Sequence, residues 1–133
     1  MAATSDLSVV EHNLAAARRV CEAWNVLEID EFRQLFDPEV DYRNIPIEGD
    51  RHVGPDAVHD ILSRFSNKWD VTLRVDNIGA GENVVLTERT ESFVHRAGVK
   101  DSFELPVMGT FEFRDGKITA WRDYFDVNHL RLR

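Results

Sequence analysis

Apolar residues recur at steps of three and four at the start of the chain. Val10, Leu14, Ala17, Cys21 and Trp24 form one stripe, which predicts an amphipathic helix from about Leu7 to Trp24. Ser5 or Ser8 is a candidate N-cap. A short second helix is expected next, with Asp30 as its N-cap, Phe32, Leu35 and Phe36 facing inward, and Pro38 as its stop. Alternation from Val40 to Ile45 predicts a short strand that Pro46 ends. Gly54-Pro55-Asp56 opens a third helix whose apolar face is Val58, Ile61, Leu62 and Phe65. Beyond it the period changes to two. Trp69, Val71, Leu73 and Val75 mark a half-buried strand that turns at Gly79 to Gly81. Val84 to Val94 is a second, turned back by Ala97-Gly98. Phe103 to Phe113 is a third, with Phe103, Leu105, Val107, Phe111 and Phe113 on one face. Asp115-Gly116 reads as a hairpin turn into a last strand from Lys117 to Val127. The tail Arg131-Leu132-Arg133 is expected to fray. Helices followed by an antiparallel meander give an α+β fold, and a strongly bent sheet over helices encloses a pocket for a small ligand.

Composition narrows the class. The 133 residues fit one domain, 1–133. The net charge of −8 argues against nucleic acid and anionic membrane surfaces as main partners. A lone cysteine, Cys21, allows no intrachain disulfide. The first residues lack the basic and apolar regions of a secretory signal, and no apolar run approaches the roughly 20 residues that span a bilayer. The expected setting is the cytoplasm. His12, His52, His59, His95 and His129 have no metal-site spacing.

Side-chain parity picks out three segments, since residues two apart on a strand share a face. Tyr42 pairs with Asn44, Arg89 with Glu91, and Trp121 with Asp123 and Phe125. Val85, Arg89, Glu91 and Phe93 share a face of mixed character. If that face is inside, Arg89 and Glu91 need partners, because a lone buried charge is costly. Asp123 would supply one. An Arg can hold two carboxylates at once, and their environments can divide them into an acid and a base. The plainer reading is a solvated surface ion pair worth about 0–1 kcal/mol, and parity alone leaves both open.

These segments carry a resemblance. Tyr42-Arg43-Asn44-Ile45-Pro46, Leu86 to Ser92, Leu105 to Glu112 and Asp115 to Asp126 resemble the limonene-1,2-epoxide hydrolase family. That family sits within the cone-shaped folds shared with nuclear transport factor 2, ketosteroid isomerase and SnoaL-like cyclases. The run Trp121-Arg122-Asp123-Tyr124-Phe125-Asp126 and the pair Tyr42/Asn44 are its most specific parts. The resemblance implies a strongly curved mixed, mostly antiparallel sheet on three to four N-terminal helices around a pocket. It implies that Tyr42 and Asn44 position a water, Asp123 acts as general base, and Arg89 orients both carboxyls. The family's proton-donating Asp is replaced by Glu91, a departure that adds one methylene. The implied reaction is one-step hydrolysis of a small hydrophobic epoxide to a vicinal diol, without a covalent intermediate, metal or organic cofactor. Phe93, Leu105, Val107, Met108, Trp121 and Phe125 are the candidate pocket residues, and a homodimer is implied as well. The alternatives are an isomerase or an epoxide-opening cyclase of the same fold, or a non-catalytic binding module.

Overall fold

A computed structural model describes residues 2–130. The order is α1 (Ala2–Ala23), α2 (Ile29–Leu35), β1 (Phe36–Asn44), β2 (His52–Val53), α3 (Pro55–Lys68), β3 (Trp69–Ala80), β4 (Val84–His95), β5 (Phe103–Arg114) and β6 (Lys117–Tyr124), then a 3₁₀ turn, Val127–His129. The six strands form one open mixed sheet in the order β2-β1-β6-β5-β4-β3. All neighbours are antiparallel except β1 and β6, which run parallel. The three helices and this curved sheet are the expected α+β arrangement.

The amphipathic pattern decides which faces are buried. Ala17, Val20 and Cys21 of α1 are fully buried, as is Val58 of α3. They meet the inward row Val71, Val85, Val107, Phe111 and Trp121 from the sheet. Burying each large side chain stabilises the fold by about 1.5–3 kcal/mol.

Several boundaries differ from the sequence reading, for physical reasons. The N-cap position of helix α2 is Glu28, which makes no side-chain cap bond, while Asp30 lies in the first turn, and the helix ends before Phe36. Pro38 does not stop a helix but lies inside β1. The register of β1 against β6 shifts between Phe36 and Asp41, and such an irregularity accommodates a residue that has no N–H to donate. β3 runs on through Gly79 to Ala80, with a register shift between Val75 and Asn77. β6 ends at Tyr124, earlier than expected, where Asp126 caps the 3₁₀ turn by accepting from the Asn128 N–H. The two-residue strand β2 lacks any period to betray it. The tail Arg131-Leu132-Arg133 lies outside the described residues. Among the described residues no helix is long and apolar enough to cross a membrane.

Candidate active site

Strand register assembles the site. Parallel pairing sets Tyr42 beside Trp121 and Asn44 beside Asp123. Antiparallel pairing then sets Asp123 beside Gly109, and Gly109 beside Thr87. Two residues along β4 from Thr87, Arg89 shares its inward face. The Arg89 side chain reaches from β4 across β5 to Asp123 on β6. It crosses at Gly109, where a Cβ would overlap Arg89 Nη1 and stand 2.6 Å from Asp123 Oδ1. A glycine is required there by the close approach of a side chain.

Arg89 is 1% exposed, the most buried cation of the described residues. Its Nη2 donates to Glu91 Oε2 at 2.6 Å and to Asp123 Oδ2 at 2.8 Å. The fork is therefore not shared edge by edge; one nitrogen bridges both carboxyls. Nη1 donates to Thr87 Oγ1 at 3.1 Å, and Thr87 donates onward to the Gly109 carbonyl at 3.3 Å. Trp121 Nε1 donates to Asp123 Oδ1 at 2.9 Å. Asp123 thus accepts one fixed donor on each oxygen, an arrangement that suits a carboxylate.

The charge balance is uneven. One buried cation faces two carboxyls, and it neutralises one of them. Burial raises the Glu91 pKa above its ordinary value; Arg89 opposes this and the nearby Asp123 adds to it. Glu91 is thereby the carboxyl inclined to keep a proton. Burial lowers the affinity of the Arg89 guanidinium for its proton, but Asp123 and Glu91 outweigh burial and hold its pKa well above the usual value.

Tyr42 is 5% exposed, and its ring lies 4.3 Å from that of Trp121. Its hydroxyl donates a long bond, 3.4 Å, to Asn44 Oδ1. Burial, with Asp123 next, raises the Tyr42 pKa well above its ordinary value, so the hydroxyl keeps its hydrogen. Asp50 Oδ2 accepts from the Asn44 backbone N–H at 2.9 Å and from its Nδ2 at 3.1 Å.

Tyr42, Asn44, Glu91 and Asp123 line one cavity. Its remaining wall is apolar. Phe93, Leu105, Val107, Trp121 and Phe125 lie in it as expected. Met108 does not: it points to the opposite face of β5 and is 53% exposed. The alternation that turns Leu105 and Val107 inward turns Met108 outward. The sequence reading missed other wall residues, chiefly Trp24, Ile47, Leu62, Phe65 and Leu73. Leu62 and Phe65 were legible as a helix face but not as pocket wall. The indole N–H of Trp24 is buried without a hydrogen-bond partner. It missed Gly109 and Thr87 too; a glycine inside a strand pattern was the available signal for the first. Among the described residues no cluster of three or more His, Cys, Asp or Glu is placed to hold a metal ion. Cys21, packed near Arg89, is buried, and burial pushes its thiol up to about 12.

Comparison with known proteins adds a separate line. Residues 6–132 match the family model of the limonene-1,2-epoxide hydrolase catalytic domain. Epoxide hydrolase EphG of Mycobacterium tuberculosis is 40% identical over 67 residues, half of this chain and 43% of that protein. The chain thus spans less than half the length of that curated relative in the match. A solved structure of an LEH-like epoxide hydrolase from M. tuberculosis superposes with a TM-score of 0.75 at 28% identity, covering 90% of this chain and 86% of the other. A protein of ketosteroid isomerase-like fold from Catenulispora acidiphila, solved with trimethylamine, superposes with a TM-score of 0.75 at 17% identity. It covers 86% of this chain and 87% of its own, and the likeness is one of fold. By the match over residues 6–132, this chain belongs to the limonene-1,2-epoxide hydrolase family.

Proposed function

We propose that this protein is an epoxide hydrolase that opens a small hydrophobic epoxide with water in one step. One observation carries the reading. A single buried Arg89 nitrogen bridges Glu91 and Asp123 in the wall of an apolar cavity that Tyr42 and Asn44 also line. Family membership and the epoxide hydrolase relatives support it.

In this mechanism Tyr42 and Asn44 hold a water, and Asp123 takes one of its protons as general base. The water oxygen attacks an epoxide carbon, the C–O bond breaks, and protonated Glu91 gives its proton to the departing oxygen. The product is a vicinal diol. A proton has moved from Glu91 to the substrate and another from water to Asp123. The cluster held Arg89⁺, Asp123⁻ and neutral Glu91 before the step; it holds Arg89⁺, neutral Asp123 and Glu91⁻ after it. Its net charge does not change. Nη2 touches both carboxyls, so the cation stays beside whichever is anionic without moving, the kind of preorganisation that lowers a barrier. The mechanism calls for no metal or organic cofactor. The same reading takes residues 1–133 as one catalytic domain. It also takes the outward sheet face, where Leu86, Met108 and Tyr124 stand exposed, as a homodimer surface.

The test is turnover of a panel of cyclic and aliphatic epoxides by wild type and Asp123→Asn. The expected result is diol from the wild type and none from a variant that is less heat-stable but still folded, by circular dichroism, at the assay temperature. An Asp123→Asn protein as active as wild type would refute the assignment. Turnover of an enone or a hydroxy-epoxide, with no diol from any epoxide, would transfer the site to isomerase or cyclase chemistry.

A further inference from the structure

Asn44 can serve as a water acceptor only if its carboxamide oxygen, not its nitrogen, faces the site. Nothing in the cavity wall fixes that choice, because Tyr42 O–H can turn to either atom. The choice is fixed from behind. Asp50 is acceptor-only as a carboxylate. Its Oδ2 meets two donors of the same residue, the Asn44 backbone N–H at 2.9 Å and Nδ2 at 3.1 Å. The backbone N–H cannot be exchanged for an acceptor, so an oxygen must sit at that point. Nδ2 is then the only Asn44 side-chain atom that can face it. Oδ1 is left toward Tyr42 and the cavity.

Asp50 is itself held. Its N–H donates to the Ile47 carbonyl and the Ile47 N–H to the Asn44 carbonyl, both at 3.1 Å, which folds the loop after β1 back on its own strand end. Gly49, at φ 78°, makes that reversal possible. Asp50 Oδ1 lies 3.2 Å from Nε2 of His52. His52 pairs with Tyr42 across β1 and β2, and its ring stands 5.8 Å from the Tyr42 ring. The side chains of Asp50 and His52 are only 17% and 22% exposed. The short strand β2 therefore places a His–Asp pair directly behind the Tyr–Asn pair.

We propose that Asp50, supported by His52, is a positioning residue that locks the Asn44 carboxamide with its oxygen toward the attacking water. The kinetic part of this proposal rests on the epoxide hydrolase reading; the structural part does not. Two measurements test it. In the first, the side-chain amide of Asn44 is followed by ¹⁵N–¹H NMR in wild type and Asp50→Ala. The expected result is a pair of well-separated, slowly exchanging Nδ2 protons in wild type that converge and exchange faster in the variant. Unchanged Asn44 side-chain signals overturn the proposal, whatever the protein turns over.

In the second, steady-state hydrolysis of cyclohexene oxide is compared in a double-mutant cycle. Asp50→Ala should lower kcat by ~10- to 100-fold, the range expected of a group misplaced by up to an ångström, with KM within about twofold. In an Asn44→Ala background the same change should alter kcat by less than about twofold, because Asp50 acts through Asn44. Asp50→Asn keeps an acceptor oxygen and should hold kcat within about threefold of wild type. An equal loss in both backgrounds would mean general damage and overturn the proposal. If wild type hydrolyses no epoxide, the function fails and the NMR result alone decides the positioning claim.

Discussion

Replacing Arg89 by Met keeps most of the side-chain volume and removes the cation. Three bonds go with it: to Glu91, Asp123 and Thr87. The side chains of the two carboxyls are 13% and 6% exposed, so water does not replace the lost donor well. Breaking a buried ion pair by removing one partner costs about 3–5 kcal/mol. An unfolding entropy of about 2.1 cal/mol/K per residue over 133 residues gives about 0.28 kcal/mol per degree. The expected fall in Tm at pH 7 is then about 11–18 °C. The pH dependence is more diagnostic. Without the cation, Glu91 faces Asp123 unopposed, and its pKa rises further above that of the unfolded chain. The folded variant then binds more protons than the unfolded chain in the window above about pH 4.5, so its stability rises as pH falls. The deficit against wild type should therefore shrink between pH 7 and pH 5. Thermal melts followed by circular dichroism at the two pH values measure this. A fall in Tm below about 4 °C at pH 7, or an equal fall at both pH values, would refute the picture of a buried cation bridging two carboxyls.

Other outcomes follow from single observations. Gly109→Ala places a methyl group against Arg89 Nη1 and Asp123 Oδ1, and should cost at least ~10²-fold in kcat/KM through misplaced carboxyls; activity within threefold of wild type would contradict the close approach. Glu91 must hold its proton to act as the acid, so kcat should fall as pH rises through its raised pKa, with the midpoint above 4.5. Glu91→Gln should abolish turnover, and a pH–rate profile that rises steadily through that window would show that Glu91 is not the donor. The Cys21 thiol, pushed up to about 12 by burial, should react with maleimide far more slowly in the native than in the unfolded protein; equal rates would mean that α1 does not bury it.

Much of the site was legible because strands alternate. Parity alone joined Arg89 to Glu91 and Asp123 to Trp121, and the structure brings all four together. The same parity excludes Met108, which is one residue from Val107 and faces the other way. What parity does not carry is which strands become neighbours. The parallel pairing of β1 with β6 joins residues nearly 80 positions apart, Asn44 and Asp123, and only the strand order of the folded sheet creates it. Loops were the least legible. Asp50 lies six residues beyond Asn44, and no periodic pattern says that the chain reverses to bring it back. Pro38 reads as a helix stop in sequence, whereas a register irregularity lets it sit within a strand. Glycine at 109 reads as weak strand chemistry until a guanidinium is found lying across it.

The central claim is that water attacks the epoxide directly, with Asp123 as base and Glu91 as acid. The most direct measurement is a single turnover of a cyclic epoxide in ¹⁸O-labelled water, with enzyme in excess and the diol analysed by mass spectrometry. Direct attack predicts one labelled oxygen in the diol of that first turnover and no label in the protein. An unlabelled diol in the first turnover would mean that a carboxylate oxygen of the enzyme attacks first, and would contradict the account.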